Sequence, residues 1–328
     1  MTAVVPAADA SPPVGGHPAD GASMRLFGGT FGGSTVRRRG AGAALTAATA
    51  ALAVILPVTD AQALPAPSGP SGITAKGAYL LDSGAGRALW GRAADTRREM
   101  ASTTKVMTAV VVLETRGVNL NKRVTVKQAY RDYVARYGAS TADLRTGDKL
   151  TVRQLLYGLM LPSGCDAAYA LADTLGSGGT TAGRTRSFIA RMNARARSLG
   201  LTRTHYDSFD GISHGRNQTT PRDLVRLARH AMGNRTFAAV VKTPRTRQKA
   251  VNVNRTYTWY NTNRLLGSYR GALGIKTGTG RRAGHCLVFA ARRGGRTVVG
   301  ALLGDSAARL YPDAAKLLDH AFGRRTGA

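Results

Sequence analysis

The chain has 328 residues, of which 43% are hydrophobic, and its 47 basic against 18 acidic side chains give a net charge of +29. This length and apolar content suffice to bury at least one sizeable core. Two cysteines, Cys165 and Cys286, are too few for a disulfide scaffold, although one bridge between them remains open. The histidines lack a zinc spacing such as His-Glu-x-x-His, so a zinc hydrolase is disfavoured and neither a metal nor a cofactor is predicted.

Residues 1–63 predict a signal peptide with an extended N-terminal region. Arg37 to Arg39 precede an apolar, alanine-rich run from Ala41 to Val58, and small residues lead up to Ala63. A permanent membrane span needs about 20 apolar residues, so this run favours cleavage after Ala63 over anchoring. The mature chain is therefore expected outside the cytoplasm, in the cell wall or at the outer face of the cytoplasmic membrane. Met24 is an alternative start.

The positive charge predicts an anionic partner. The leader carries four arginines and three aspartates, so its removal lowers the net charge by one, to +28. A charge of this size attracts polyanions over long distances. For an exported protein, anionic wall polymers or the membrane surface fit better than nucleic acid. The alternative is a solvated arginine-rich surface without a dedicated partner.

Residues 64–75 are predicted to be a linker, and residues 76–328 one folded domain. Its first element is a β-hairpin formed by Gly77 to Leu81 and Arg87 to Trp90 around a glycine-containing turn. The segment from Ser102 to Glu114 is nearly all apolar, which predicts a helix buried on most sides.

Helices dominate the middle of the domain and strands its C-terminal part. Strands from both ends of the domain are therefore expected in one mainly antiparallel sheet flanked by helices, with an adjoining all-helical region, an α+β fold. The predicted elements are helices over Thr151 to Leu161, Asp166 to Leu175, Arg184 to Leu199 and from Pro221 onward, strands over Ala272 to Thr277, Cys286 to Arg292 and Thr297 to Leu303, and a last helix over Ala307 to Phe322.

Ser102 and Lys105 are the first candidates for chemistry. They are three residues apart, hence on one face of the predicted helix. A serine hydroxyl is a poor nucleophile without a neighbouring base, and a lysine kept neutral by burial can be that base. The alternative is a helix-capping serine followed by a surface lysine. This is the only Ser-x-x-Lys in the chain and it opens a buried helix, which favours the catalytic interpretation.

Two further segments carry suitable groups. Lys276 and Thr277 offer a cation and a hydroxyl for a carboxylate, and Gly278 permits close approach to the strand. Arg264 and Arg270, just upstream, are additional cations that could help. Ser163 lies in a tight loop between two predicted helices. Taken singly, these segments are also compatible with an ordinary edge strand and a helix corner.

The three segments together resemble the serine penicillin-binding protein and β-lactamase superfamily, whose Ser-x-x-Lys, Ser-x-Asn and Lys-Thr-Gly motifs follow in this order. More closely, the stretches Ala101 to Ala109, Leu155 to Ala168 and Gly274 to Gly278 resemble the low-molecular-mass D-Ala-D-Ala carboxypeptidases. The resemblance implies a transpeptidase-like catalytic domain that acts on peptidoglycan stem peptides ending in D-Ala-D-Ala. It also implies an acyl-enzyme and covalent inhibition by β-lactams.

The resemblance also implies a role for each matched residue. Ser102 would be the acylated nucleophile, Lys105 its general base, and Ser163 a hydroxyl that relays protons to the leaving amine. Backbone N–H groups of Ser102 and Thr279 would form the oxyanion hole. The residues expected to bind substrate are Cys165, Lys276, Thr277, Gly278 and Thr279.

Cys165 departs from the family, which usually has asparagine at this position. A thiol is a weak donor, so one amide hydrogen bond to substrate would be lost, at a cost of about 1 kcal/mol. We expect its side chain in the substrate groove close to Ser163, without a nucleophilic role. The competing interpretation is burial against Cys286 or a disulfide to it.

Three other functions agree less well with the sequence. A class A β-lactamase needs a deacylating glutamate well after the nucleophile, and Glu114 is the last glutamate of the chain. Gly211 to Gly215 match the Gly-x-Ser-x-Gly motif of α/β-hydrolases, but loop-like residues flank them where a strand and a helix are required. A non-enzymatic polycationic wall-binding protein would leave Ser102 and Lys105 without a purpose.

Overall fold

The computed structural model describes residues 69–213 and 215–323. The predicted signal peptide, its cleavage site and the first residues of the predicted linker lie outside this part of the chain. Within it, none of the helices has both the length and the apolar character needed to span a bilayer.

The described residues form eleven strands and nine α-helices. In chain order they are β1 (Gly77–Asp82), β2 (Ala88–Arg92), β3 (Arg98–Glu99), a 3₁₀ turn (Ala101–Thr104), α1 (Lys105–Leu113), β4 (Arg123–Thr125), α2 (Gln128–Tyr137), β5 (Lys149–Thr151), α3 (Val152–Met160), α4 (Cys165–Leu175), α5 (Thr181–Ser198), β6 (Gln218–Thr219), α6 (Pro221–Met232), α7 (Arg235–Lys242), β7 (Arg245–Lys249), β8 (Thr256–Tyr260), α8 (Leu265–Ser268), β9 (Ala272–Gly280), β10 (Gly284–Arg293), β11 (Arg296–Asp305) and α9 (Leu310–Ala321).

One antiparallel sheet organises the molecule, with the strand order β2-β1-β11-β10-β9. The N-terminal hairpin therefore joins the three C-terminal strands, and Leu81 of β1 pairs with Val299 of β11. Helix α9 packs on one face of the sheet, and α6 packs on the other. The predicted α+β class with a mainly antiparallel sheet is confirmed. Helices α2 to α5, with the short β4–β5 ladder, form the adjoining region.

Local signals placed several helices correctly. The Thr151 side chain accepts a hydrogen bond from the Gln154 N–H, and the Gln154 side chain accepts one from the Thr151 N–H, a capping box at the start of α3. Thr220 caps α6, whose first residue is Pro221. The predictions omitted α2, α7 and the β7–β8 hairpin.

The predicted helix from Ser102 to Glu114 differs at its start. A 3₁₀ turn precedes α1, so the α-helix begins at Lys105. The hydroxyl groups of Thr103 and Thr104 donate to the carbonyl oxygens of Met100 and Ala101, each at 2.7 Å. These contacts to residues three positions back stabilise the tighter turn.

The predicted linker is wrong for its last residues. Ile73 and Ala75 are buried in the same core as α9. Between them, the Thr74 hydroxyl donates to Asp305 Oδ1 at 2.8 Å. The packed domain therefore begins a few residues before residue 76.

Ser213 does not lie on a nucleophile elbow. Its hydroxyl accepts from the N–H groups of Gly215 and Asn217 and donates to Asp207. In the described residues around it, the chain is loop before Ser213 and enters the short strand β6 after it. His214, inside the same motif, lies outside the described residues. The motif is therefore a chance match, as predicted.

Candidate active site

Lys105 Nζ is the centre of a compact polar cluster. It lies 3.0 Å from Ser102 Oγ, 3.3 Å from Cys165 Sγ and 2.7 Å from the Asp210 carbonyl oxygen. Lys105 is fully buried, whereas Ser102 is partly exposed. An ammonium has three N–H donors, and these three contacts would take all of them. In the neutral amine, the lone pair would instead be free to accept the Ser102 proton.

Close backbone packing fixes the turn that carries Ser102. Ala101 has a φ of +45°, a conformation that an alanine adopts only when its surroundings enforce it. A Cβ on Gly278 of β9 would lie 3.0 Å from the Met100 carbonyl oxygen and 3.2 Å from the Ser102 nitrogen. A Cβ on Gly211 would lie 2.2 Å from the Ala101 carbonyl oxygen. Position 211 therefore requires glycine, whereas a side chain at position 278 would force the turn to shift by a few tenths of an ångström.

Ser163 lies on the turn between α3 and α4 with a φ of +65°. Its hydroxyl oxygen is shielded from solvent and has no hydrogen-bond partner among the described residues. A strained serine with an unpaired hydroxyl is typical of a site that awaits a ligand. The turn is anchored by buried Asp166, whose carboxylate accepts from the Thr141 hydroxyl and the N–H groups of Ala142 and Leu144.

A groove of about 310 Å³ opens beside Ser102. Five of the predicted site residues line it, whereas Lys105, Cys165 and Lys276 do not. The lining residues are Ser102, Ser140, Pro162, Ser163, Thr262, Arg264, Thr277, Gly278, Thr279, His285, Ala307, Leu310 and Tyr311.

Lys276 lies beneath the groove surface. Only 1% of it is exposed, and its Nζ donates to the Thr277 carbonyl oxygen at 3.1 Å. Burial lowers the pKa of this amine well below its usual value, and a positive charge on the nearby Lys105 would lower it further. The hydroxyl groups of Thr277 and Thr279 are therefore the exposed polar groups of this strand at the groove.

Cys165 is also deeper than expected. It is 1% exposed, and its sulfur contacts Lys105 Nζ and lies 4.0 Å from the Ser163 carbonyl oxygen. The side chain is therefore close to Ser163, as expected, but it does not line the groove of the free enzyme. Burial raises the pKa of the thiol to about 12, so it is neutral at physiological pH. Cys286 is buried separately, near the Ala283 carbonyl oxygen, and both cysteines are free. The alternative of a disulfide is therefore not realised.

The predictions omitted several residues of this region. Asp210, whose carbonyl contacts Lys105, lies in a loop with no periodic pattern to signal its burial. Tyr311, in α9, lines the groove and donates to the Thr262 carbonyl oxygen at 2.9 Å. Arg264 stacks on the Tyr311 ring at 4.4 Å and lines the groove. Arg270, in contrast, lies near the start of β9, away from Ser102.

Glu114 is not available for deacylation. It follows the last residue of α1, forms an ion pair with Arg195 at 2.6 Å and is hydrogen-bonded to His230 Nε2 at 2.5 Å. None of the described residues that line the groove is a glutamate. The described residues also contain no group of aspartate, glutamate, histidine or cysteine side chains that could hold a metal ion.

Comparisons with known proteins identify the family. The family model for D-alanyl-D-alanine carboxypeptidase matches residues 62–307. A D-alanyl-D-alanine carboxypeptidase from Streptomyces sp. (strain K15) is 50% identical over 290 residues, which cover 87% of this chain and 98% of the relative. DacB2 from Mycobacterium tuberculosis is 36% identical over 248 residues, covering 75% of this chain and 79% of DacB2.

A solved structure extends this likeness to three dimensions. The crystal structure of the Streptomyces K15 DD-transpeptidase matches with a TM-score of 0.76 and 53% identity, covering 78% of this chain and 99% of that chain. The fold, the order of the motifs and these relatives lead to one conclusion. The chain belongs to the D-alanyl-D-alanine carboxypeptidase family of serine peptidases, the penicillin-binding enzymes that act on the D-Ala-D-Ala peptides of peptidoglycan.

Proposed function

We propose that Ser102 is the nucleophile of this D-Ala-D-Ala carboxypeptidase and that Lys105 is its general base. The observation that carries the proposal is the 3.0 Å contact between Lys105 Nζ and Ser102 Oγ beside the groove. The neutral amine takes the hydroxyl proton as Ser102 Oγ bonds to the carbonyl carbon between the two D-alanines. The negative charge that develops on the carbonyl oxygen is stabilised by the backbone N–H groups of Ser102 and Thr279.

The second half of acylation needs a proton for the leaving amine. Ser163 is proposed to deliver it, because this residue lines the groove and its shielded hydroxyl is unpaired among the described residues. The C–N bond then breaks, D-alanine leaves, and the acyl group remains on Ser102. Water or a second amine takes the acyl group from the serine oxygen and regenerates the enzyme.

The terminal carboxylate of the substrate is proposed to bind at Thr277 and Thr279, with Arg264 as the cation that reaches the groove. Lys276 supports this position from below. An incoming carboxylate favours the charged form of the Lys276 amine, whereas burial disfavours that form. Gly278 lets the substrate chain approach the strand, and Cys165 contributes through Lys105 rather than through direct contact in the free enzyme.

Release of D-alanine from a diacyl-Lys-D-Ala-D-Ala peptide tests this function. The purified chain from Leu64 to Ala328 should release D-alanine, and Ser102→Ala should not. A second arm adds a free amine such as glycine to measure how the acyl group divides between water and the amine. Release that persists in Ser102→Ala would refute the assignment of the nucleophile.

Export is a further part of the proposal. Residues 1–63 fit a cleaved signal, and enzymes of this family act on the cell wall outside the cytoplasm. N-terminal sequencing of the protein from the producing cells should begin at Leu64. A start within the apolar run, or retention in the cytoplasm, would contradict it.

A groove lined by arginines supports the expectation of an anionic partner. Four arginines line a groove of about 820 Å³ at the end of β9 opposite to Thr279, and none of the described residues that line it is acidic. They are Arg270, Arg292, Arg293 and Arg296. Phosphate groups of wall polymers or of lipids fit this chemistry. Salt-dependent co-sedimentation with purified walls, compared with anionic vesicles, separates the two sources, and the double variant Arg270→Ala, Arg292→Ala should weaken binding without slowing acylation.

A further inference from the structure

A second pocket lies beside the end of β9, next to the turn that carries Ser102. Its volume is about 240 Å³, and its wall includes Ala101, Thr279 and Gly280. Thr279 also lines the groove that contains Ser102. The second pocket and the groove are therefore neighbours that share this residue.

The order of residues along β9 sets the direction in which a bound peptide would lie. Thr277 is at the proposed carboxylate site, and Gly278 follows beside the Ser102 nitrogen. A peptide whose terminal carboxylate is at Thr277 has its reactive carbonyl at Ser102 and Thr279. Its preceding residues then continue past Gly280, because an extended chain rises about 3.3 Å per residue. The second pocket therefore lies on the side of the acyl group that stays on the enzyme.

Two opposite charges lie on the wall of the second pocket. Glu99, in β3, and Arg282, in the turn between β9 and β10, form an ion pair with 2.9 Å between Oε1 and Nε. The Arg282 side chain is 72% exposed, so its guanidinium can reach a ligand. The Glu99 Oε1 atom accepts no well-aligned hydrogen bond from any described residue. Both charged groups therefore have bonding capacity left for a ligand.

Asn217 adds a buried polar group to the same wall. It is 1% exposed, and its side-chain nitrogen donates to Thr104 Oγ1 at 2.7 Å. This contact fixes the amide, whose oxygen has no hydrogen-bond partner among the described residues. Buried polar atoms are nearly always paired, so an unpaired oxygen here is a second sign of a site that receives a ligand.

We propose that the second pocket binds the side chain of the stem-peptide residue that precedes the two D-alanines, and that this side chain ends in a free amino-acid group. Glu99 accepts from the ammonium of that group, and Arg282 donates to its carboxylate. A side chain with a single charge would take one partner out of the ion pair, whereas a group with both charges leaves the pocket balanced. This inference rests on the proposed function and names the substrate class of the same site.

D-alanine release from two matched peptides tests the carboxylate contact. Both have the form acetyl-X-D-Ala-D-Ala, where X is 2,6-diaminopimelic acid in one and its distal monoamide in the other, so only the distal carboxylate differs. The free acid should have a kcat/KM about fivefold higher, the upper range for a charge pair that is partly exposed to solvent. Equal values for the two peptides would overturn the proposal.

Single variants assign each charge of the ligand to its partner. Arg282→Gln should remove the preference for the free acid. Glu99→Gln should remove the preference for a free distal ammonium over its N-acetyl derivative, which in the parent should also be about fivefold. A preference that survives the loss of its assigned partner, or an ammonium preference that is absent in the parent, would overturn the proposal.

Arg222→Gln is the matched control. Arg222 forms an ion pair of the same kind, 2.7 Å from Asp95 Oδ1, and lines neither the groove nor the second pocket. This control should retain both preferences. Benzylpenicillin has no distal amino-acid group, so Arg282→Gln should be labelled at the rate of the parent. An equal slowing with penicillin and with every peptide would mean that the ion pair only supports the turn of Ser102, and it would overturn the proposal.

The proposed function and the second pocket fail in different ways. D-alanine release that persists in Ser102→Ala would refute the proposed nucleophile. Equal release from all the peptides by a parent enzyme that requires Ser102 would refute only the role of the second pocket.

Discussion

Replacing Gly278 by alanine should displace the nucleophile without removing any functional group. The added Cβ would lie 3.0 Å from the Met100 carbonyl oxygen and 3.2 Å from each of the Ser102 and Thr103 nitrogens, all of them backbone atoms. Contacts this short force the turn to move by a few tenths of an ångström. Because a displacement of about 1 Å can cost a hundredfold in rate, we expect acylation to slow about tenfold. The fold should persist, with a lower melting temperature.

Gly280→Ala is the matched control on the same strand. Its Cβ would meet the nearest atoms, the Cβ atoms of Ala283 and Ala101, at 3.5 and 3.6 Å, which are ordinary contacts. The assay is the second-order rate of penicillin labelling for both variants, with circular dichroism to verify folding. The control should acylate at close to the wild-type rate. A Gly278→Ala variant that also acylates at the wild-type rate would refute the argument that close packing of β9 positions Ser102.

The remaining predictions concern the base, the cysteine, one helix cap and the buried lysine. Lys105→Ala should fold and lose at least about a hundredfold in acylation rate at neutral pH, and near-normal labelling would refute its role as base. Cys165→Ala and Cys165→Asn should both still be acylated by penicillin. In D-alanine release from peptide, Cys165→Asn should equal the parent or exceed it by up to about tenfold. Complete loss of labelling in a folded Cys165→Ala would show that the thiol is catalytic. Thr151→Ala should lower the free energy of unfolding by about 1 kcal/mol through loss of the capping box, while a changed acylation rate would contradict this purely structural role. Because the pKa of Lys276 is lowered in the folded state, the unfolded chain binds more protons at this amine between the folded and unfolded pKa values, so the free energy of unfolding should rise with pH through that range. In denaturant titrations, Lys276→Gln should flatten this rise. An unchanged dependence of the free energy of unfolding on pH would contradict the burial of a neutral amine.

Local sequence patterns indicated those candidate residues that lie close together along the chain. The spacing of Ser102 and Lys105 and the turn at Ser163 are local features. The structure brings Ser102 and Ser163 to one groove together with Thr277 to Thr279, and it places buried Lys105 in contact with Ser102. Residue order indicated which segments meet, through the resemblance to a known family. The capped helix α3 and the paired terminal strands were likewise readable from local patterns.

The burial of individual side chains could not be predicted from local sequence patterns. Lys276 and Cys165 are buried because β9 packs against the turn of Ser102 and α4 packs against α1, which is a property of tertiary packing. Asp210 is hidden for the same reason, since its loop has no period that would mark one side as buried. Exposed charged helices such as α2, which has only Tyr130 fully buried, also carry too weak an apolar pattern to be recognised.

The covalent adduct with penicillin tests the central claim most directly. The chain from Leu64 to Ala328 is incubated with benzylpenicillin, and the intact mass is measured before and after digestion. The account predicts the addition of one penicilloyl group, located on the peptide that contains Ser102 and absent from Ser102→Ala. An adduct that persists in Ser102→Ala, or that maps to another residue such as Cys165 or Ser213, would contradict it.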